Sequence, residues 1–300
     1  MKVLIGPSTF AAVDSTPIAM LEAAKIEIVR NPVGRKLTAD ELDQLLPGVE
    51  GIIAGLEPLT RDVLERSNLR VISRCGAGLS NVDIEAAREL GVKVFSTPDA
   101  PTNAVAELTV GAMLAVLRDV PRMHEEMRAG RWSKRIGVQI EGKTIVIIGY
   151  GRIGKRVAAL LRPFGARILA VDPIVRTSDD VENVPLEKAL PQADIITFHA
   201  SGEDEILGPR QFAMLKRGVF ILNAARGGLV NEKLLSDALT SGLVAGGWID
   251  TFTTEPYDGP LTKYPQLLLT PHIGSASAEC RVRMESEAVE NLLRGLEMRR

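Results

Sequence analysis

Cysteine and tryptophan each occur twice and histidine three times in 300 residues, and aromatic residues make up only 4% of the chain. Cys75 and Cys280 are too few for a disulfide framework or a cysteine-ligated metal, so both read as buried apolar fillers in a reducing compartment. Neither sign of charge dominates, since 36 Lys and Arg stand against 38 Asp and Glu for a net charge of −2. Without a whole-chain basic field to hold nucleic acid or an acidic membrane, the expected partner is a small molecule. Long apolar runs are missing too. The opening Val3-Leu4-Ile5 run breaks at Gly6, and no later segment approaches the roughly 18 uninterrupted apolar residues of a membrane span. A soluble, cytoplasmic protein is expected, with no metal, internal repeat, low-complexity tract or flexible linker.

What the chain does contain is ordinary globular composition, 45% hydrophobic and 25% charged, in a length that suits two domains. Short β-branched runs alternate with helical stretches, the pattern of βαβ units wound into parallel sheets. The first half offers strands at Val3–Ile5, Lys25–Val29, Gly51–Ala54, Leu69–Ser73 and Val92–Phe95. Ser96-Thr97-Pro98-Asp99-Ala100-Pro101 then reads as a hinge before an apolar-periodic helix from Asn103 to about Met127. A second series follows at Thr144–Ile148, Arg167–Val171, Ile195–Phe198, Val219–Leu222, Leu243–Ile249 and Leu267–Leu269, six strands of a doubly wound sheet. The segment Ala276–Arg300 is helical in pattern, with an arginine-rich end suited to a helix C-terminus.

The run Thr144–Ile148 leads directly into Gly149-Tyr150-Gly151-Arg152-Ile153-Gly154 and then a helix. Strand, glycine turn and helix in this order form a dinucleotide cradle. Gly149 permits the turn, Gly151 lets backbone approach a pyrophosphate, and Gly154 lets helix pack on strand. Asp172 ends the next strand, where a carboxylate accepts the ribose hydroxyls of an adenosine. Pro173-Ile174-Val175 follow, with no cation immediately beside the acid to receive a 2′-phosphate, so the expected cofactor is NAD.

Each histidine can be weighed as a proton donor. His124, beside Glu125 and Glu126, reads as a surface residue. His199 ends a strand and is a candidate for the cofactor loop. His272 follows Leu267-Leu268-Leu269-Thr270-Pro271 at a carboxyl edge, and Arg226 and Glu255 emerge after two earlier strands. Individually Arg and Glu are more often surface ion-pair members, but three such groups on neighbouring strand ends suggest a site.

The chain resembles the D-2-hydroxyacid dehydrogenases, most closely their phosphoglycerate dehydrogenase-like branch. The likeness spans nearly the whole chain and rests on six ordered motifs. These are Cys75-Gly76-Ala77-Gly78 with Asn81-Val82-Asp83, Thr102-Asn103-Ala104-Val105-Ala106-Glu107, the glycine turn Gly149–Gly154, Asn223-Ala224-Ala225-Arg226-Gly227-Gly228, Asp250 to Glu255-Pro256, and Thr270-Pro271-His272-Ile273-Gly274.

The resemblance implies an α/β protein with a Rossmann doubly wound domain at 98–277 and a smaller flavodoxin-like, substrate-binding domain at 1–97 plus 278–300. It makes His272 the acid/base, Glu255 its partner and Arg226 the anchor of the substrate carboxylate. Such an anchor uses the guanidinium's planar fork, and the carboxylate at the imidazole's far nitrogen fixes the ring. It places the amides of Ala77 and Gly78, with Asn103 and Arg74, on the substrate. It gives the cofactor to Gly149, Gly151, Arg152, Ile153, Gly154, Asp172, His199, Ala224, Ala225, Asp250 and Gly274, with Asp250 at the nicotinamide carboxamide. The long helix after Asn103 resembles the family's dimer element, which implies a homodimer.

Two segments depart from the family. Ala54-Gly55-Leu56-Glu57 replaces an Arg-Ser-x-Thr segment, putting an acid where a cation meets the substrate phosphate, and this argues against 3-phosphoglycerate. His199-Ala200-Ser201-Gly202-Glu203-Asp204-Glu205 lacks the family's Pro and Thr, which implies a looser cofactor-side loop. The competing readings are an NADH-sensing corepressor-like protein that keeps the fold, and a dehydrogenase of another small anion such as formate or phosphite.

Overall fold

A computed structural model describes residues 1–175, 177 and 181–297. The chain forms two compact units, one of Met1–Pro101 with the segment from Ala276 onward, the other of Thr102–Ser275.

The first unit holds strands β1 (Lys2–Ile5), β2 (Glu27–Arg30), β3 (Gly51–Ala54), β4 (Val71–Arg74) and β5 (Lys93–Ser96), parallel in the order β2-β1-β3-β4-β5. Alternation along β1 decides which face each side chain serves. Leu4 joins Leu42, Ile52 and Ile72 on one side of the sheet. Val3 and Ile5 join Ile53, Val71 and the helix Ala278–Glu297 on the other. Ser73 Oγ donates to the Ala288 carbonyl at 2.7 Å, fixing that helix to β4. The helix Ala39–Leu45 starts on a capping box in which Thr38 and Glu41 satisfy each other's N–H groups. The arginines at the extreme C-terminus lie outside the described residues.

The second unit is a seven-stranded parallel sheet: β6 (Thr144–Ile148), β7 (Arg167–Val171), β8 (Glu182–Asn183), β9 (Ile195–Phe198), β10 (Val219–Asn223), β11 (Val244–Ile249) and β12 (Leu267–Leu269). Its order is β12-β11-β10-β9-β6-β7-β8. Strand order reverses between β6 and β9, and a ligand crevice opens at such a reversal. The sheet carries one strand more than the six expected, because β8 is two polar residues defined only by pairing with β7.

The single helix expected from Asn103 to about Met127 is two helices, Thr102–Leu117 and Val120–Arg128. Pro121 has no N–H to offer the carbonyl of Leu117, so the helix cannot continue through it. Asp119 turns the chain at φ 50°, and the Leu117 carbonyl accepts from the Val138 N–H at 2.9 Å instead.

Candidate active site

The glycine turn leaves β6 at the sheet's reversal. Gly149 has φ 88°, and a Cβ there would collide with the backbone of His199 and Ala200. At Gly154 a Cβ would collide with the Gly149 carbonyl, so this glycine sets the close contact between the helix Arg152–Leu161 and the turn. Gly151 is different, since nothing lies within 4 Å of where its Cβ would stand. It is the N-cap of that helix, and no side chain caps the helix start. An open cradle at a helix N-terminus fits a pyrophosphate, with the amides of Arg152 and Ile153 in the first turn.

Asp172 stands at the tip of β7, next to this turn. Its carboxylate accepts the N–H of Tyr150 at 2.8 Å, of Ile174 at 2.9 Å and of Val175 at 3.1 Å. Burial alone raises its pKa, but the N–H groups of Ile174, Tyr150 and Val175 and the nearby Lys155 outweigh that and hold it below 3.8. The acid is therefore ionised and fixed in orientation.

β10, β11 and β12 are neighbours, so Arg226, Glu255 and His272 follow three consecutive strand tips. His272 Nδ1 lies 2.9 Å from Glu255 Oε2 and 3.1 Å from Oε1. Glu255 is held from behind by the Phe252 N–H at 3.1 Å. With Nδ1 facing a carboxylate, the proton on Nδ1 is the bonded one and Nε2 is the other site of exchange. Both side chains are about a third exposed, at 37% and 34%.

His272 has a left-handed backbone, φ 52°. Its N–H donates to the Asp250 carbonyl at 2.9 Å. The Asp250 carboxylate, 1% exposed, accepts the Ile273 N–H at 2.9 Å, the Gly274 N–H at 2.8 Å and the Thr270 hydroxyl at 2.5 Å.

The structure does not join Arg226 to that pair. Among the described residues its guanidinium makes one hydrogen bond, from Nη1 to the Ala225 carbonyl at 2.7 Å. The loop beneath it is built on Asn223, 1% exposed, whose side chain accepts the Ala225 N–H and donates to the Arg226 carbonyl at 2.8 Å. Ala224 is half-buried and Ala225 buried at the same tip.

His199 sits across from Gly149, with Nε2 3.0 Å from Thr197 Oγ1. Its Nδ1 is buried with no partner among the described residues. Burial pushes this imidazole down to about 3, so it stays neutral and is no proton donor at working pH.

In the first unit, Ala77 is exposed and Gly78 half-buried in the loop after β4. Gly76 adopts φ 137° and donates its N–H to Thr97 Oγ1 at 2.8 Å, tying that loop to the end of β5. Arg74 Nη1 donates to the Cys75 carbonyl. Asn103 is exposed at the start of the helix Thr102–Leu117, in the second unit.

The acid expected to face a substrate phosphate is buried instead: Glu57 is 1% exposed. It accepts the Gly55 N–H at 2.5 Å, and a Cβ at Gly6 would stand 2.6 Å from its Oε1. Its carboxylate thus fills the space between the turns after β1 and β3. Burial raises its pKa, against the lowering effect of backbone N–H groups, Arg74 and Lys36.

Sequence reasoning missed Asn223 and Thr270 as site builders, although both stand inside motifs that it singled out. A polar residue ending a buried apolar strand was the available signal.

The family model for the D-isomer specific 2-hydroxyacid dehydrogenase NAD-binding domain matches residues 110–274. A hydroxypyruvate reductase of Thermotoga maritima is 35% identical over 87% of this chain and 89% of its own length. A D-3-phosphoglycerate dehydrogenase of Rattus norvegicus is 35% identical over 95% of this chain, which spans about half of that relative, 55%. The crystal structure of a glyoxylate reductase from Paecilomyes thermophila superposes with a TM-score of 0.89 at 28% identity, over 99% of this chain and 95% of that one. The chain belongs to the D-isomer specific 2-hydroxyacid dehydrogenase family, phosphoglycerate dehydrogenase-like, and is an NAD-dependent oxidoreductase acting on the CH–OH group of a 2-hydroxy acid.

Proposed function

We propose that this enzyme interconverts a short, unphosphorylated D-2-hydroxy acid and its 2-keto acid, with His272 as acid/base, Glu255 as its partner and Arg226 as carboxylate anchor. The observation that carries the assignment is the 2.9 Å pair of His272 and Glu255 on adjacent strand tips. Bound NADH supplies the hydride that reduces the keto carbon. In that direction negative charge develops on the substrate oxygen, and His272 Nε2 is the site of the proton that neutralises it. Glu255 keeps the ring oriented through its bond at Nδ1. Arg226 exchanges its bond to the Ala225 carbonyl for a two-pronged grip on the substrate carboxylate.

Gly149, Gly151, Arg152, Ile153 and Gly154 hold the pyrophosphate, and Asp172 the adenosine ribose. Asp250, Gly274, Ala224, Ala225 and His199 border the nicotinamide half. Asp250 spends three acceptor positions on its own chain, which leaves one for a carboxamide. Ala77, Gly78, Arg74 and Asn103 serve the substrate.

Glu57 supports the substrate class. Where β1 and β3 part, the crevice of a sheet ordered β2-β1-β3 already contains this chain's own carboxylate. A second, doubly charged group arriving at that edge meets filled space and like charge.

The enzyme acts in the cytoplasm, without a nucleic acid or membrane partner. The near balance of its charges supports this, as do two buried free cysteines. Among the described residues no helix is long and apolar enough to cross a membrane. A homodimer is supported by Met127, Trp132 and Ile136, exposed at 52%, 79% and 103%. A monomer by sedimentation at micromolar concentration rejects that part.

The test of the reaction is NADH oxidation with glyoxylate, hydroxypyruvate, pyruvate, 2-ketoisocaproate and 3-phosphohydroxypyruvate. The expected result is turnover of one or more short keto acids, with kcat/KM about 100-fold or more above that for the phosphorylated one. No turnover of any member, with NADH demonstrably bound, rejects the proposal.

A further inference from the structure

We propose that Trp248 is a positioning residue for His272, acting through Thr270 and Asp250; this rests on His272 being the proton donor. Trp248 lies on β11 and Asp250 is the first residue after it, two positions on, where the pairing still continues through the Thr270 N–H to the Ile249 carbonyl at 3.1 Å. On β12 the register pairs Ile249 with Leu269, which sets Thr270 beside Asp250 and diagonal to Trp248. Trp248 Nε1 donates to Thr270 Oγ1 at 2.8 Å, and Thr270 Oγ1 donates to Asp250 Oδ1 at 2.5 Å.

The direction of this chain is fixed by chemistry. An indole nitrogen only donates, so the Thr270 oxygen must accept there and send its own proton to the carboxylate. Trp248 is fully buried, and its N–H has no water to turn to. Asp250, fixed by that hydroxyl, receives the amides of Ile273 and Gly274, while its carbonyl receives the His272 N–H. These bonds bracket the one residue of the turn with a left-handed backbone, His272 at φ 52°. A side chain holds that conformation only when its surroundings impose it. Loosening the relay therefore releases the aim of the imidazole without removing a group from the reaction.

The test is Thr270→Val, which keeps shape and removes both bonds, beside Thr270→Ser and Trp248→Phe. The expected result for Thr270→Val is a fall in kcat of about tenfold, with recovery in Thr270→Ser. Trp248→Phe is expected to lose about threefold, and the double variant no more than Thr270→Val alone, because both changes break one chain. With only two tryptophans in the protein, the indole N–H signals report directly in NMR. Trp248 should shift and exchange faster in Thr270→Val while Trp132 stays put.

Unchanged kcat in Thr270→Val, an unmoved indole signal, or effects that multiply in the double variant each overturn the relay. If Trp248→Phe fails to fold, the two Thr270 variants decide. An active His272→Gln enzyme would discard the proton-donor assignment, whereas an inactive one beside an unimpaired Thr270→Val would discard the relay alone.

Discussion

The Tyr150 N–H donates to the Asp172 carboxylate at 2.8 Å, so the middle of the glycine turn and the tip of β7 move as one piece. Asp172 thus holds the turn in addition to the ribose contact proposed for it. Asp172→Ala is expected to weaken NADH binding by about ten- to a hundredfold, the range for losing hydrogen bonds to a charged group. NADPH, already disfavoured by that carboxylate, should lose less, so the ratio of the two affinities narrows. Fluorescence titration of both nucleotides measures this, and an equal loss for the two would contradict it. The carboxylate is held below 3.8 by its N–H donors, so its contribution is present above that pH and fades as pH falls through the lowered value. Acid denaturation curves of wild type and variant should converge there.

Gly151 and Gly154 separate binding from folding. Gly154→Ala forces a methyl group against the Gly149 carbonyl. It should cost about 1–3 kcal/mol and lower Tm by several degrees. Gly151→Ala adds its methyl to open space, so Tm should stay near wild type while NADH affinity falls. Thermal melts with and without NADH distinguish the two. A Gly151→Ala enzyme that NADH stabilises as much as it does wild type would mean that the open cradle is not the cofactor's place.

Glu57 gives a prediction of opposite sign to Asp172. Its pKa is raised by burial, so the native state binds more protons than the unfolded chain above the usual 4.5. Stability from this group is greatest at low pH and declines as pH rises through the raised value. Glu57→Gln keeps the bond from the Gly55 N–H and removes the charge. Its Tm should exceed wild type at pH 7 and match it near pH 4. A variant less stable than wild type at pH 7 would show that pairing with Arg74 and Lys36 outweighs burial.

The parts of the molecule legible in the sequence are those whose physics is local. Strand, glycine turn and helix follow one another at 144–161, and the three roles of Gly149, Gly151 and Gly154 need only backbone geometry. The tips carrying Arg226, Glu255 and His272 were legible because each follows an apolar strand. Relations between distant residues were not. The burial of Glu57 depends on close approach by Gly6, and the bond from Trp248 to Thr270 spans 22 residues. β8 has no periodicity of its own, and the direction of the Arg226 guanidinium is a side-chain choice that no motif encodes. The helix break at Asp119 had a local signal in Pro121, which the apolar periodicity around it obscured.

The central claim is that His272, oriented by Glu255, moves the proton that accompanies hydride transfer. The most direct measurement is single-turnover NADH oxidation by His272→Gln at saturating keto acid, with NADH binding measured on the same sample. General acid catalysis is worth about 10²–10⁴-fold, so the rate should fall by that factor while NADH affinity stays within about twofold. A His272→Gln enzyme that turns over within tenfold of wild type would contradict the account.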